Sequence, residues 1–269
     1  MADLRARVIS FCQKHRLRFD TDIGQHFLIE DLVLDAILDA AQIQKNDHIV
    51  EIGAGLGILT EKLLERSMNV TAIEIDARLI PLMNTYLGRG MACHAPTIIQ
   101  KNALQVPFPN TPYKIVANIP YHITSPLLRH AFLEGTRAPT SMTLLIQREV
   151  AERIVDTEDA SLLTIVVALF GTPRIVTHVP PESFLPPPKV DSAVLHIDCF
   201  AEPRTNSATM EKIFLLTKIA FAQKRKMLRN SLGALPYGEA IMKAASVDPT
   251  RRPQTLTLDE WITLARSMP

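Results

Sequence analysis

Ile49-Val50-Glu51-Ile52-Gly53-Ala54-Gly55-Leu56-Gly57 is the stretch that decides the fold. An apolar run enters a glycine-spaced loop, and Ile58-Leu59-Thr60-Glu61-Lys62-Leu63-Leu64 continues at helical spacing. Strand, tight loop and helix in that order bring backbone N–H groups close to a nucleotide-like ligand. Glycine is needed in the loop because a Cβ would block close approach or a positive φ. The spacing is Gly-x-Gly-x-Gly, not the Gly-x-Gly-x-x-Gly of dinucleotide folds, and no Gly-Lys-Ser/Thr follows to hold a phosphate. A second apolar run, Val70-Thr71-Ala72-Ile73, ends in Glu74, about 20 residues beyond the loop. An acid at that point is placed to accept both hydroxyls of a ribose.

Outward from this unit, strands and helices alternate to about residue 156. The pattern predicts strands at 48–53, 69–75, 97–101, 113–118 and 141–147, with helices at 30–41, 57–66, 77–87, 125–134 and 148–155. Such alternation implies an α/β fold, a mostly parallel sheet with helices on both faces. Two more strands are expected at 174–179 and 192–199, joined by a stiff, extended Pro-rich loop, Pro180-Pro181-Glu182-Ser183-Phe184-Leu185-Pro186-Pro187-Pro188. Ala201–Ser207 reads as a linker, and the pattern after it is helical only, with Thr257 as a cap before Leu258-Asp259-Glu260. The expected domains are therefore a catalytic one over 1–200 and a small all-helical one over 208–269.

The chemistry is carried by Asn118-Ile119-Pro120-Tyr121, which follows the strand-like Tyr113-Lys114-Ile115-Val116-Ala117. The Asn118 side-chain oxygen and the Ile119 carbonyl are acceptors. Pro120 drives Ile119 into extended geometry, which sets where that carbonyl points. Tyr121 offers a ring face on which a purine can stack. Two acceptors and a stacking plate match the N6 edge of adenine. Asn and Pro together also suit a plain turn, so the tetrapeptide gains its meaning from its neighbours. With the glycine loop and Glu74 it points to S-adenosylmethionine as cofactor rather than NAD.

These motifs resemble the ribosomal RNA adenine N6,N6-dimethyltransferases of the KsgA type, relatives of the Erm methyltransferases of large-subunit rRNA. The resemblance runs from about Asp22 to the C-terminal helices. It rests on Gly24-Gln25-His26-Phe27-Leu28, Glu51-Ile52-Gly53-Ala54-Gly55, Asn118-Ile119-Pro120-Tyr121 and Gln147-Arg148-Glu149-Val150-Ala151-Glu152-Arg153. It continues in Phe184-Leu185-Pro186-Pro187-Pro188-Lys189-Val190-Asp191-Ser192-Ala193-Val194 and Gln223-Lys224-Arg225-Lys226-Met227-Leu228-Arg229-Asn230. The last two blocks are closer to the KsgA type than to Erm. The resemblance implies a seven-stranded Rossmann-like methyltransferase sheet closed by an antiparallel pair. It implies dimethylation of N6 on two adjacent adenosines near the 3′ end of small-subunit (16S) rRNA, with a role in small-subunit biogenesis. By the same resemblance, Asn118, Ile119, Pro120 and Tyr121 form the amine clamp, and Phe184 covers the second face of the flipped base. Cofactor contacts fall at His26, Leu28, Gly53, Gly55, Glu74, Asn102 and Asn118. His26 stands where the family usually has Asn, and Asn102 where an Asp usually accepts from the cofactor's adenine. Residues 156–166 lack the family's usual Tyr-Gly-x-Leu-Ser.

Composition is compatible with this. The chain has 269 residues, is 47% hydrophobic, and carries a net charge of only +1. That charge is unevenly spread: residues 204–269 hold 11 Lys/Arg against 5 Asp/Glu, whereas the preceding 203 hold 18 against 23. A basic C-terminal part beside a mildly acidic one suits RNA held by its phosphates. Lys224, Arg225, Lys226 and Arg229 cluster with no acid near them in sequence and are the expected RNA contacts; Lys14, Arg16 and Arg18 form a second basic segment. Cys12, Cys93 and Cys199 are widely spaced, which argues against a disulfide framework or zinc site and suits a reducing cytosol. No run reaches the length of a membrane span, no signal-peptide core opens the chain, and no histidine pair has metal-ligand spacing. The expectation is a cytoplasmic monomer, without metal or membrane, acting on small-subunit rRNA within a pre-ribosomal particle. Two other readings share the fold: an Erm-like enzyme of large-subunit rRNA, and an assembly or transcription factor with weak catalysis.

Overall fold

The computed structural model describes residues 3–88, 95–223 and 225–269. In chain order its strands are β1 (Phe27–Leu28), β2 (His48–Ile52), β3 (Asn69–Glu74), β4 (Thr97–Gln100), β5 (Lys114–Asn118), β6 (Ser141–Gln147), β7 (Gly171–Val179), β8 (Phe184–Leu185) and β9 (Ser192–Cys199). Among the described residues the main sheet has seven strands, in the order β4-β3-β2-β5-β6-β9-β7. The pairs β2–β3, β2–β5, β3–β4 and β5–β6 are parallel, while β6 and β9 are antiparallel. Ile49, Val50 and Ile52 of β2 are at most 1% exposed, because a central parallel strand is covered on both faces. The order turns around between β2 and β5, and in such sheets ligands bind in the crevice at the carboxyl ends of the strands flanking that switch. The glycine loop follows β2 and Asn-Ile-Pro-Tyr begins at the end of β5, so both expected motifs border this crevice.

The α-helices are α1 (Leu4–Lys14), α2 (Asp31–Ala41), α3 (Ile58–Arg66), α4 (Leu79–Leu87), α5 (Thr124–Arg129), α6 (Arg148–Val155), α7 (Leu162–Phe170), α8 (Ser207–Phe221), α9 (Gly238–Ala244) and α10 (Leu258–Arg266). Thr257 caps α10 as expected, in a box with Glu260. Helices α1 and α7 are additions to the sequence reading. Helix α1 buries only Leu4, Val8 and Cys12, a narrow stripe in a polar segment. Helix α7, Leu-Leu-Thr-Ile-Val-Val-Ala-Leu-Phe, is rich in β-branched residues and has no polar face. It is a helix because Ser161 and Thr164 cap its start reciprocally and because most of its side chains are buried. The helix expected at 125–134 ends early: α5 passes into a π turn at His130–Glu134.

The chain divides into two compact units, Met1–Ala151 with Arg174–Cys199, and Glu152–Pro173 with Phe200–Pro269. The expected boundary at residue 200 is thus corrected for one segment, since Glu152–Pro173 belongs with the C-terminal helices. Within that second unit α7 packs on α8 and α10. The Pro-rich loop also differs from the expected extended form. It holds a 3-10 turn at Pro181–Ser183 and then pairs β8 with β1 in a two-stranded antiparallel sheet.

Candidate active site

The glycine loop is shaped by its own backbone. Gly53, Gly55 and Gly57 have φ values of 72°, 59° and 85°, a region that favours glycine. A Cβ on Gly55 would stand 2.8 Å from the Phe27 ring, so the close approach of β1 requires glycine as well. Glu74 stitches this loop to the end of β3. Its Oε2 accepts from the Gly55 N–H and its Oε1 from the Asp76 N–H, both at 2.8 Å. Burial pushes the Glu74 carboxyl above the usual range, against the pull of these N–H donors. A carboxylate has about four lone-pair directions. The two bonds leave about two for hydroxyls, so the residue fits the diol of a nucleoside as well as the loop.

The cleft beside this loop is lined by Phe27, Leu28, Glu51, Gly53, Ala54, Leu56, Ile58, Leu59 and Asn118. Leu28 is buried in β1. Glu51 was not among the residues expected here. It is 1% exposed, accepts a 2.6 Å hydrogen bond from the Thr60 hydroxyl, and is pushed up to about 8 by burial, with Glu74 adding to the rise. The sequence signal was a carboxylate inside an apolar strand, two residues before the first glycine. The nearby Asp76 is held low by Arg78 and also accepts from the Gln25 amide at 2.7 Å. That bond ties the Gly24–Leu28 segment to the loop after β3.

At the end of β5 the residues expected to form the clamp come together. The Asn118 Nδ2 donates to the His26 carbonyl at 3.0 Å, which turns Oδ1 away from that bond as an available acceptor. Among the described residues no hydrogen bond ends on the Ile119 carbonyl, although the Ile119 side chain is buried. Gly24, at φ 78°, lies so close that a Cβ there would meet the Pro120 ring at 2.9 Å. The Tyr121 hydroxyl lies 2.6 Å from Ser192 Oγ, and burial raises its pKa. The His26 ring is nearly parallel to that of Tyr121, at 15° with centroids 6.2 Å apart, and its Nδ1 lies 2.7 Å from the Pro186 carbonyl.

Other expected residues are placed differently. Phe184, expected to cover the second face of the base, is 2% exposed and packs in the core with Phe27, Leu28 and Val194. Its pairing with Leu28 in the β1–β8 sheet turns it inward, and burying a Phe ring stabilises by about 1.5–3 kcal/mol. Asn102 caps a 3-10 turn, its Oδ1 accepting from the Leu104 N–H at 3.0 Å, so part of its acceptor capacity serves the backbone. Lys224 and Cys93 lie outside the described residues. Arg225 and Lys226 are exposed on the turn that follows α8, and Arg229 is exposed on the short 3-10 helix Leu228–Asn230. The fold also supplies an acid that the linear sequence hides: Asp248 senses Arg251 and Arg229 and is held low chiefly by bonds from Thr250.

Comparison with known proteins agrees with this geometry. The family model for ribosomal RNA adenine dimethylase matches residues 16–268. The chain is 36% identical over 273 residues to a ribosomal RNA small subunit methyltransferase A of Alkaliphilus oremlandii, covering 95% of this chain and 94% of that protein. It is 38% identical over 267 residues to a protein of the same name from Dehalococcoides mccartyi, with 96% and 91% covered. Among solved structures, a dimethyladenosine transferase from Plasmodium falciparum is similar with a TM-score of 0.77 and 28% identity, over 89% of this chain and 96% of that one. The 23S rRNA methyltransferase ErmE is similar with a TM-score of 0.71 and 26% identity, over 90% and 98%. A sheet that turns around beside a glycine loop, Asn118-Ile119-Pro120-Tyr121 at its carboxyl edge and a family match over nearly the whole length together place this chain in the ribosomal RNA adenine dimethylase family.

Proposed function

We propose that the protein transfers methyl groups from S-adenosylmethionine to N6 of two adjacent adenosines near the 3′ end of small-subunit rRNA, within a pre-ribosomal particle. The observation that carries this reading is the Asn118 amide. One of its N–H groups donates to the His26 carbonyl, and its oxygen remains to accept beside the Ile119 carbonyl. The N6 lone pair of adenine is delocalised into the ring and is a poor nucleophile. Two fixed acceptors hold the amine and favour a more pyramidal nitrogen in the transition state. Holding nitrogen and methyl group in line supplies the proximity effect, up to roughly 7–11 kcal/mol in ideal cases. The donor, when bound, supplies a methyl group already activated on a sulfonium. Gly53 and Gly55 would admit its body, Glu74 its ribose, and Leu28, Glu51 and Asn118 would border it, with Asn102 near its adenine. Tyr121 stacks on the flipped base, a step that costs less at an unpaired loop nucleotide than in a duplex. Arg225, Lys226 and Arg229 hold phosphates.

The relatives named for the small subunit support that substrate over large-subunit rRNA. The test is transfer of labelled methyl groups into unmethylated small subunits and into large-subunit rRNA, with mapping of the modified bases. The expected result is two neighbouring N6,N6-dimethyladenosines in the small subunit only. Label confined to large-subunit rRNA would establish the Erm-like reading instead.

A further inference from the structure

We infer that Gln25 is a positioning residue for methyl transfer: it holds the His26 carbonyl that orients the Asn118 amide, and fastens it through Asp76 to the loop that carries Glu74. The inference rests on the base-methylation reading above and deepens it, since in this role Gln25 acts on the reacting amine only through Asn118. An amide side chain can present its oxygen or its N–H₂, and half a turn exchanges the two. At Asn118 the choice is made by the 3.0 Å bond from Nδ2 to the His26 carbonyl, which leaves Oδ1 for the amine. The place of that carbonyl therefore sets the acceptor. His26 stands just before β1, outside the Phe27–Leu28 pairing with β8, so the strand alone does not fix it.

Gln25 fixes the segment with both ends of its side chain. Its Oε1 accepts from the Asp20 N–H at 2.9 Å, and its own N–H donates to the Asp20 carbonyl at 3.1 Å, closing the 3-10 turn at Thr21–Ile23. With Oε1 engaged there, Nε2 reaches outward and donates to Asp76 Oδ2 at 2.7 Å. Asp76 is buried, and hydrogen bonds from Arg78 above all hold its carboxyl below the usual range, so a carboxylate accepts. Such charge-assisted bonds are roughly twice as strong as neutral ones. The Asp76 N–H in turn donates to Glu74, which holds Gly55. A second contact joins the segment to this loop, Asp20 with Arg78 at 3.6 Å, but both side chains are exposed, where ion pairs contribute little. Gln25–Asp76 is thus the firm link in a chain of bonds that runs from Gly55 through Glu74, Asp76 and the Gln25–His26 peptide to Asn118.

The test uses Gln25→Ala, Gln25→Glu and Gln25→Glu with Asp76→Asn, alongside Asn118→Ala with and without Gln25→Ala. kcat is measured on unmethylated small subunits at saturating donor, donor affinity by calorimetry without RNA, and melting on each variant. A misplacement of about 1 Å can cost roughly 10²-fold, so Gln25→Ala should lower kcat by at least about tenfold. Donor affinity should stay within about threefold, because β1 is held by its pairing with β8. Gln25→Glu sets one carboxylate against another and should be as slow; adding Asp76→Asn restores a bond with donor and acceptor exchanged and should recover most of kcat. Residues that act through one another are not additive, so Gln25→Ala should cost Asn118→Ala less than about twofold more. A wild-type kcat for Gln25→Ala, a loss of donor affinity as large as the loss of kcat, a double variant without recovery, or a full further loss on top of Asn118→Ala would each overturn the inference. A wild-type rate for Asn118→Ala would sink the amine-clamp reading itself, whereas a slow Asn118→Ala beside a normal Gln25→Ala would sink only the role of Gln25.

Discussion

Asn118 is the residue on which the proposed chemistry depends most directly. Asn118→Ala deletes an acceptor at the reacting nitrogen and should slow methyl transfer by roughly 10²–10³, as for loss of one preorganised polar group. Tyr121→Ala should also be severe, while Tyr121→Phe keeps the ring and loses only the 2.6 Å bond to Ser192, worth about 0.5–1.5 kcal/mol. The ordering is the test, read in single-turnover assays on small subunits; a wild-type rate for Asn118→Ala would return the tetrapeptide to an ordinary turn. Glu51 gives a pH prediction. Its pKa rises from 4.5 to about 8 in the fold, so the native state holds this proton more tightly than the unfolded chain. The stability from this group is complete below about 4.5 and is lost as pH rises toward about 8. Denaturant midpoints should show Glu51→Gln gaining on wild type between pH 5 and 8.5, and parallel profiles would refute the shift. At this scale the sequence disclosed which residues carry donors and acceptors. It could not disclose that Phe184 turns inward, because that depends on pairing with Leu28, more than 150 residues away.

The loop and the strand end that Glu74 joins behave as one element. Glu74→Ala removes an expected ribose acceptor and two backbone N–H partners together. Donor affinity should fall by roughly 2–3 kcal/mol, the range for charged hydrogen bonds, and the melting temperature should drop as well. Calorimetric titration giving unchanged affinity would remove Glu74 from the site. The central parallel strands were legible because strands covered on both faces read as continuous apolar runs between glycine and acidic punctuation. Helix α7 was not, since its β-branched composition suits a strand and only its cap and tertiary burial make it helical. Helix α1 hid for the opposite reason, with an apolar stripe too sparse to stand out.

Over the whole molecule, the net +1 conceals a C-terminal excess of base. Replacing Arg225 and Lys226 with serine should weaken RNA binding and reduce its log–log salt slope by roughly 0.7–0.9 per lost contact, leaving donor affinity unchanged. A wild-type slope would make the turn after α8 an ordinary solvated surface. The division into units has a further consequence for anyone who would trade one RNA-binding part for another. The chain visits the helical unit twice, first at Glu152–Pro173 and again from Phe200. A chain stopped after Cys199 would strand α7, whose buried apolar side chains rest on α8 and α10, and should aggregate on expression where the full chain does not. The helical unit is therefore no detachable tail. Grafting in a relative's version takes two splice junctions, and a single cut leaves half of the unit behind.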